Sequence, residues 1–109
     1  MPTVFIANKS GHDFSPAREF GDIKFLTYGL MPPLSANSMY RKIYDVLKSS
    51  RPDDYLVLTG LPIIGAIAAV VFAQMHKRLN LLIYKDGKYN LRNIVINCDK
   101  YEEFCFGGD

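Results

Sequence analysis

Three short segments carry the side chains best suited to chemistry: Asn8-Lys9-Ser10-Gly11-His12-Asp13, Tyr28-Gly29 and Thr59-Gly60-Leu61-Pro62. Together they offer an amide, two hydroxyls, a cation, an imidazole and a phenol, with glycines that permit tight turns. A set of this kind suits recognition of a small anionic or phosphate-bearing ligand. Asn8, Lys9, Ser10, Gly11, His12, Tyr28, Thr59, Gly60 and Leu61 are the candidate ligand-binding residues. Catalysis would fall to Lys9, Ser10, His12 and Asp13, as acid and base in metal-independent phosphodiester cleavage. Their supporting carboxylates are few, so binding without turnover is the expectation, and no catalytic residue is assigned. Each part also has a structural role open to it. Gly11 and Gly60 can serve turn geometry alone, Thr59 can cap a helix, and Lys9 can be solvated.

Sites of several other kinds are missing. The chain has no Gly-x-Gly-x-x-Gly, Walker-type Gly-Lys-Ser/Thr, Gly-x-Ser-x-Gly or His-Glu-x-x-His motif, so dinucleotide oxidoreductases, P-loop ATPases, serine hydrolases and zinc proteases lose support. Cys98 and Cys105 lie seven apart without neighbouring histidines, which reads as free thiols and not a zinc site. No metal and no cofactor is expected. His76 falls at the basic end of a predicted helix, where the helix dipole accounts for it.

The elements that position these segments follow from hydrophobic patterning. Thr3-Val4-Phe5-Ile6-Ala7 reads as a first buried strand, and Ser15-Pro16 as the N-cap and first residue of a short helix over 16–20. Residues 23–28 form a second strand. Met31-Pro32-Pro33-Leu34 is a connection, followed by a helix capped by Ser35, Asn37 or Ser38, with Met39, Tyr40, Ile43, Val46 and Leu47 at helical spacing.

Residues 55–75 contain no charge, and a membrane span has to be weighed against a buried strand and helix. Thr59, Gly60 and Pro62 break the run, and Tyr55-Leu56-Val57-Leu58 is β-prone, which favours a third strand, a tight turn and a helix over 62–78. Gly65, Ala69 and Ala73 form a small-residue stripe on that helix. A helix so apolar calls for cover on both sides, one from the sheet and one from a subunit partner. Residues 79–84 and 89–97 are then strands joined across Asp86-Gly87, a strong hairpin signal. The tail, 98–109, places Tyr101, Phe104 and Phe106 among acidic residues and either packs on a partner or frays.

This order of elements predicts one α/β domain over 1–109, a Rossmann-like three-layer fold with a mostly parallel sheet and a C-terminal β-hairpin. Parallel strands bring the three candidate segments to one sheet edge. The formal net charge of +2 is too small to argue for duplex nucleic acid, and 49% apolar residues describe a globular chain. No signal peptide is visible, so a cytoplasmic location and no membrane association are expected.

The strand running into Leu58-Thr59-Gly60, the apolar helix after it and the strand over 81–84 resemble the CARF-type Rossmann domains, which bind cyclic oligonucleotides. The similarity covers about residues 54–84. It implies a homodimer with a nucleotide-like ligand across the two-fold axis at the strand ends. In place of that family's Gly-Gly-Thr-like continuation this chain has Leu61-Pro62. The chain length and the Ser10-Gly11-His12-Asp13-Phe14 loop also look like small α/β proteins encoded by phages. The expectations are therefore a homo-oligomeric domain that senses or sequesters a nucleotide-like ligand, or an assembly module that uses the helix over 62–78.

Overall fold

The structure is a computed structural model and describes residues 1–29 and 35–96. The Met31-Pro32-Pro33-Leu34 connection, both cysteines and the tail lie outside the described residues. Five strands form one sheet in the order β2-β1-β3-β4-β5: β1 Thr3–Lys9, β2 Asp22–Tyr28, β3 Tyr55–Val57, β4 Arg78–Lys85 and β5 Lys88–Val95. β1 pairs in parallel with β2 and β3, β3 pairs in parallel with β4, and β5 returns antiparallel. The expected α/β architecture, mostly parallel with a terminal hairpin, is observed.

β1 lies inside the sheet between β2 and β3, and its Val4, Phe5, Ile6 and Ala7 are apolar toward both faces, as a strand covered on both sides requires. Polar residues were expected to end it at Ala7. It continues through Asn8 and Lys9, because β2 supplies partners in register, Asn8 with Thr27 and Lys9 with Tyr28.

Two helices cover one face. α1, Ala36–Leu47, is capped by the Ser35 hydroxyl, which accepts the Ser38 N–H at 3.1 Å, and buries Met39, Ile43 and Leu47 four residues apart. α2, Pro62–His76, opens with proline in its first turn and buries Ile64, Ala68, Val71 and Phe72 against α1, β1 and β3. It ends at His76, two residues earlier than predicted, because Lys77 adopts the left-handed conformation and Arg78 already belongs to β4. At 15 residues α2 is too short to span a bilayer, and among the described residues no helix is long and apolar enough to do so.

The third layer is thin. A 3₁₀ helix, η1 Ser15–Glu19, and its flanks place Phe14, Ala17 and Phe20 over Val4, Ile6, Val57 and Leu82. Ser15 does not cap it as predicted: Phe14 holds that position, and the Ser15 N–H is taken by the Asp13 carboxyl at 3.0 Å. Right-handed crossovers account for the division of labour, since β1 to β2 runs one way across the sheet while β2 to β3 and β3 to β4 run the other.

The far ends of α1 and α2 are tied by Ser50 Oγ and His76 Nε2, 2.8 Å apart, with the His76 ring edge-on to Phe72 at 4.5 Å. This contact, more than the helix dipole, explains His76. Burial lowers its pKa from the ordinary 6.5, partly offset by Asp54. The unfolded chain therefore binds the proton more readily, and stability present above pH 6.5 is lost as pH falls below it. Thermal melts between pH 7.5 and 5 are expected to show a steeper loss for the native protein than for His76→Gln; parallel curves would count against the tie.

Candidate functional site

The direction of the connections reverses between β1 and β3. The chain leaves β1 toward β2 on one face and leaves β3 toward β4 on the other, so the carboxyl ends of these two strands flank a topological switch point. Asn8 and Thr59 meet there. The Thr59 hydroxyl donates to the Asn8 carbonyl at 2.9 Å and accepts from the Asn8 N–H at 3.2 Å, substituting for strand pairing just past the end of β3. Leu58, predicted as the last residue of that strand, lies outside it, since pairing with β1 ends at Val57.

Asn8 is held from its side chain as well. Thr27 Oγ1 lies 2.9 Å from Asn8 Oδ1 and 2.6 Å from the Ala7 carbonyl oxygen, so one fully buried hydroxyl links β2 to the end of β1. Gly60 completes the corner. Its φ is +83°, and a Cβ there would stand 2.9 Å from the Asn8 Cβ, so neither the backbone conformation nor the space admits a side chain readily. Replacing Thr59 with valine is expected to cost about 1–2 kcal/mol, since a part-buried N–H and carbonyl lose their partner. Urea unfolding should show Thr59→Ser losing less than half of that; equal losses would mean that the hydroxyl is not the clasp.

Beside this corner a groove of about 340 Å³ runs between the ends of β3 and β4, lined by His12, Val57, Leu58, Thr59, Tyr84 and Tyr89 among others. One wall is aromatic. The His12 ring lies 5.6 Å from both Phe14 and Tyr84, and Tyr84 lies 5.1 Å from Tyr89. Tyr89 is buried, and burial, then the neighbouring Tyr84 and Asp13, push its pKa above the ordinary 10, which keeps the phenol neutral. Neither tyrosine was a predicted site residue. The signal was present: Tyr84 and Tyr89 flank Asp86-Gly87 symmetrically, and opposed residues of a hairpin share a face.

The other predicted residues divide around His12. A second, shallower groove of about 240 Å³ on its far side is lined by Lys9, Asp13, Phe14, Ser15, Arg18 and Phe25. There the Lys9 ammonium stands 5.5 Å above the Phe25 ring, which also neighbours Tyr28 at 5.8 Å. Tyr28 is exposed at the β2 edge, away from Thr59. Ser10 and Gly11 are exposed in the loop, with the Ser10 hydroxyl accepting the His12 N–H at 3.4 Å. Leu61 and Gly60 border a third, small depression at the start of α2. The structure thus joins Asn8, Thr59 and Gly60 directly, sets His12 across the groove from Thr59, and leaves Lys9 in the second groove, with Tyr28 beyond it against Phe25.

Asp13 turns to Ser15. The Ser15 backbone bond, then its side chain and then the His12 charge lower the Asp13 pKa. Among the described residues no hydrogen bond joins the side chains of Ser10, His12 and Asp13 to one another, and no cluster of histidine, cysteine and carboxylate ligands could hold a metal.

A family model described as the phage Pam3 gp32-like protein matches residues 2–98, nearly the whole described fold. The chain belongs to that family. No curated protein and no solved structure matches it. The expected likeness to phage-encoded α/β proteins is therefore met at the level of the family, and no match to a CARF-type domain accompanies it. The match spans both the Asn8–Thr59 corner and the β4–β5 hairpin that supplies the aromatic wall.

Proposed function

We propose that this protein is a homo-oligomeric binding domain that holds a small planar, phosphate-bearing ligand of the nucleotide class at the switch point, without turning it over. The observation that carries this reading is the groove whose aromatic wall of His12, Tyr84 and Tyr89 faces Leu58 and Thr59. Its volume, about 340 Å³, suits a ligand of mononucleotide size, and apolar walls with a few polar groups are the usual form of such sites. Thr59-Gly60 leads into the first turn of α2, whose positive end favours an anion. The lack of side-chain hydrogen bonds among Ser10, His12 and Asp13, with the Asp13 carboxyl turned to the Ser15 N–H, favours binding over phosphodiester cleavage. The resemblance of residues 54–84 to CARF-type domains supports the same ligand class and adds cyclic oligonucleotides to the panel.

The test is an NMR titration with nucleoside mono- and triphosphates and cyclic oligonucleotides. One of them should shift the His12, Thr59 and Tyr84 resonances together, and Tyr84→Ala should weaken that ligand about tenfold or more, the value of one lost stacking contact. Unmoved resonances at millimolar ligand would remove the proposal.

A second reading, an assembly module, is favoured by α2 itself. The helix was expected to need cover on both sides, yet Ile63 and Val70 remain 44% and 52% exposed, with Leu61 beside them. The occupant on this reading is a second copy. Light scattering should show a dimer that Val70→Lys dissociates, and a monomeric native protein would rule the reading out.

A further inference from the structure

The hairpin carries a feature that neither reading uses. Among the described residues β5 is an edge strand, eight residues long and without proline, and it closes on β4 through Asp86 and Gly87, both at positive φ. In a two-residue hairpin the closing pair, Lys85 and Lys88, exchanges both hydrogen bonds, so residues 88, 90, 92 and 94 turn their peptide groups toward β4. The bond from the Ile96 N–H to the Lys77 carbonyl, 2.9 Å, continues that alternation. Tyr89, Leu91, Asn93 and Val95 therefore direct theirs outward. The Leu91 carbonyl draws the Arg92 guanidinium onto itself at 2.9 Å, as an edge acceptor without a strand partner would. Around this row Ile94 and Val95 are 47% and 62% exposed, on opposite faces.

Charge narrows the choice of occupant. Residues 77–96 hold Lys77, Arg78, Lys85, Lys88 and Arg92 against Asp86 alone, a net +4. A second β5 laid against the first would bring Lys88 and Arg92 of both copies together, which edge lysines and arginines commonly prevent. The complement is an acidic segment with apolar side chains. Residues 97–109 supply one in the same chain: Asp99, Glu102, Glu103 and Asp109 against Lys100, with Tyr101, Phe104 and Phe106 between them. They follow β5 directly, and thirteen residues suffice for a turn and a run alongside an eight-residue strand.

We propose that the outer edge of β5 is the docking edge for this chain's own acidic, aromatic segment 99–109, which joins it by strand addition. Docking there gives the outward peptide groups partners, covers Ile94 and Val95, and neutralises the basic hairpin. It is independent of what the groove binds. Amide hydrogen exchange on the full chain tests it. In low salt Tyr89, Leu91, Asn93 and Val95 should exchange at least about tenfold more slowly than free peptides and independently of protein concentration, and Glu102→Lys with Glu103→Lys should remove that protection. Residues 88, 90, 92 and 94 report whether the variant is folded. Free-peptide rates for the outward row in the native protein would overturn the proposal. So would protection that rises with concentration, which would place another molecule's segment on the edge.

Discussion

Gly60→Ala is expected to destabilise the protein by about 2–4 kcal/mol, from a left-handed backbone that costs a non-glycine residue about 1–2 kcal/mol and a crowded Cβ that costs about as much again. The crowding is specific. The added methyl would stand 2.9 Å from the Asn8 Cβ and 3.1 Å from its Nδ2, and Asn8 cannot retreat because Thr27 holds its side chain and Thr59 its backbone. The loss should therefore appear in stability and in the groove together, through a displaced Thr59. Urea unfolding measures the first. Gly60→Asn separates the two causes, since asparagine tolerates a positive φ yet retains the crowding, and should lose less than alanine. An alanine variant as stable as the native protein would mean that the corner yields, and that Asn8 is not fixed.

Asp54→Ala should cost about 2–4 kcal/mol, at the opposite edge of the sheet. The buried Asp54 carboxyl accepts the Thr3 N–H with one oxygen and the Arg51 N–H with the other, both at 2.8 Å, and so ties the start of β1 to the turn that leads into β3. Its backbone carbonyl receives the Asn80 amide, 2.8 Å away, which also reaches the Pro52 carbonyl and brings in β4. Alanine would leave two N–H groups without acceptors in part-buried surroundings, at about 1–3 kcal/mol each before relaxation. Asp54→Asn keeps one acceptor and should lose roughly half as much. Because this network lies at the far edge from the groove, a folded Asp54→Asn variant should bind ligand as the native protein does. A stability change below about 1 kcal/mol in the alanine variant would show that water replaces the carboxyl without penalty.

What the sequence made legible was whatever depends on neighbours along the chain. The apolar run of β1, Ser35 before α1, Pro62 at the start of α2 and Asp86-Gly87 in the hairpin are local signals, and each element stands where they place it. Pairing across the sheet was not legible. Asn8 and Lys9 look like loop residues until Thr27 and Tyr28 are set beside them, and nothing near Asp54 in sequence marks it as a tie to Thr3, 51 residues away.

The candidate site divides along the same line. Thr59-Gly60 marked a strand-to-helix turn, but the use of Thr59 as a clasp depends on the neighbour β1 has across the switch point. His12 drew attention for its aspartate, and what surrounds it is aromatic: Phe14 locally and Tyr84 from the hairpin. Lys9 was grouped with Thr59 by the strand-end argument, yet the end of β1 lies between β2 and β3, and its lysine leans to the β2 side over Phe25.

The central claim is that the groove between His12, Thr59 and Tyr84 holds a nucleotide-class ligand. Native mass spectrometry of the protein as purified, followed by identification of any small molecule released on denaturation, tests it most directly. The account predicts a bound species that contains a planar ring and phosphate, displaced in Tyr84→Ala and retained in Asp54→Asn. A ligand-free spectrum for the native protein, unchanged on addition of the nucleotide panel, would contradict it.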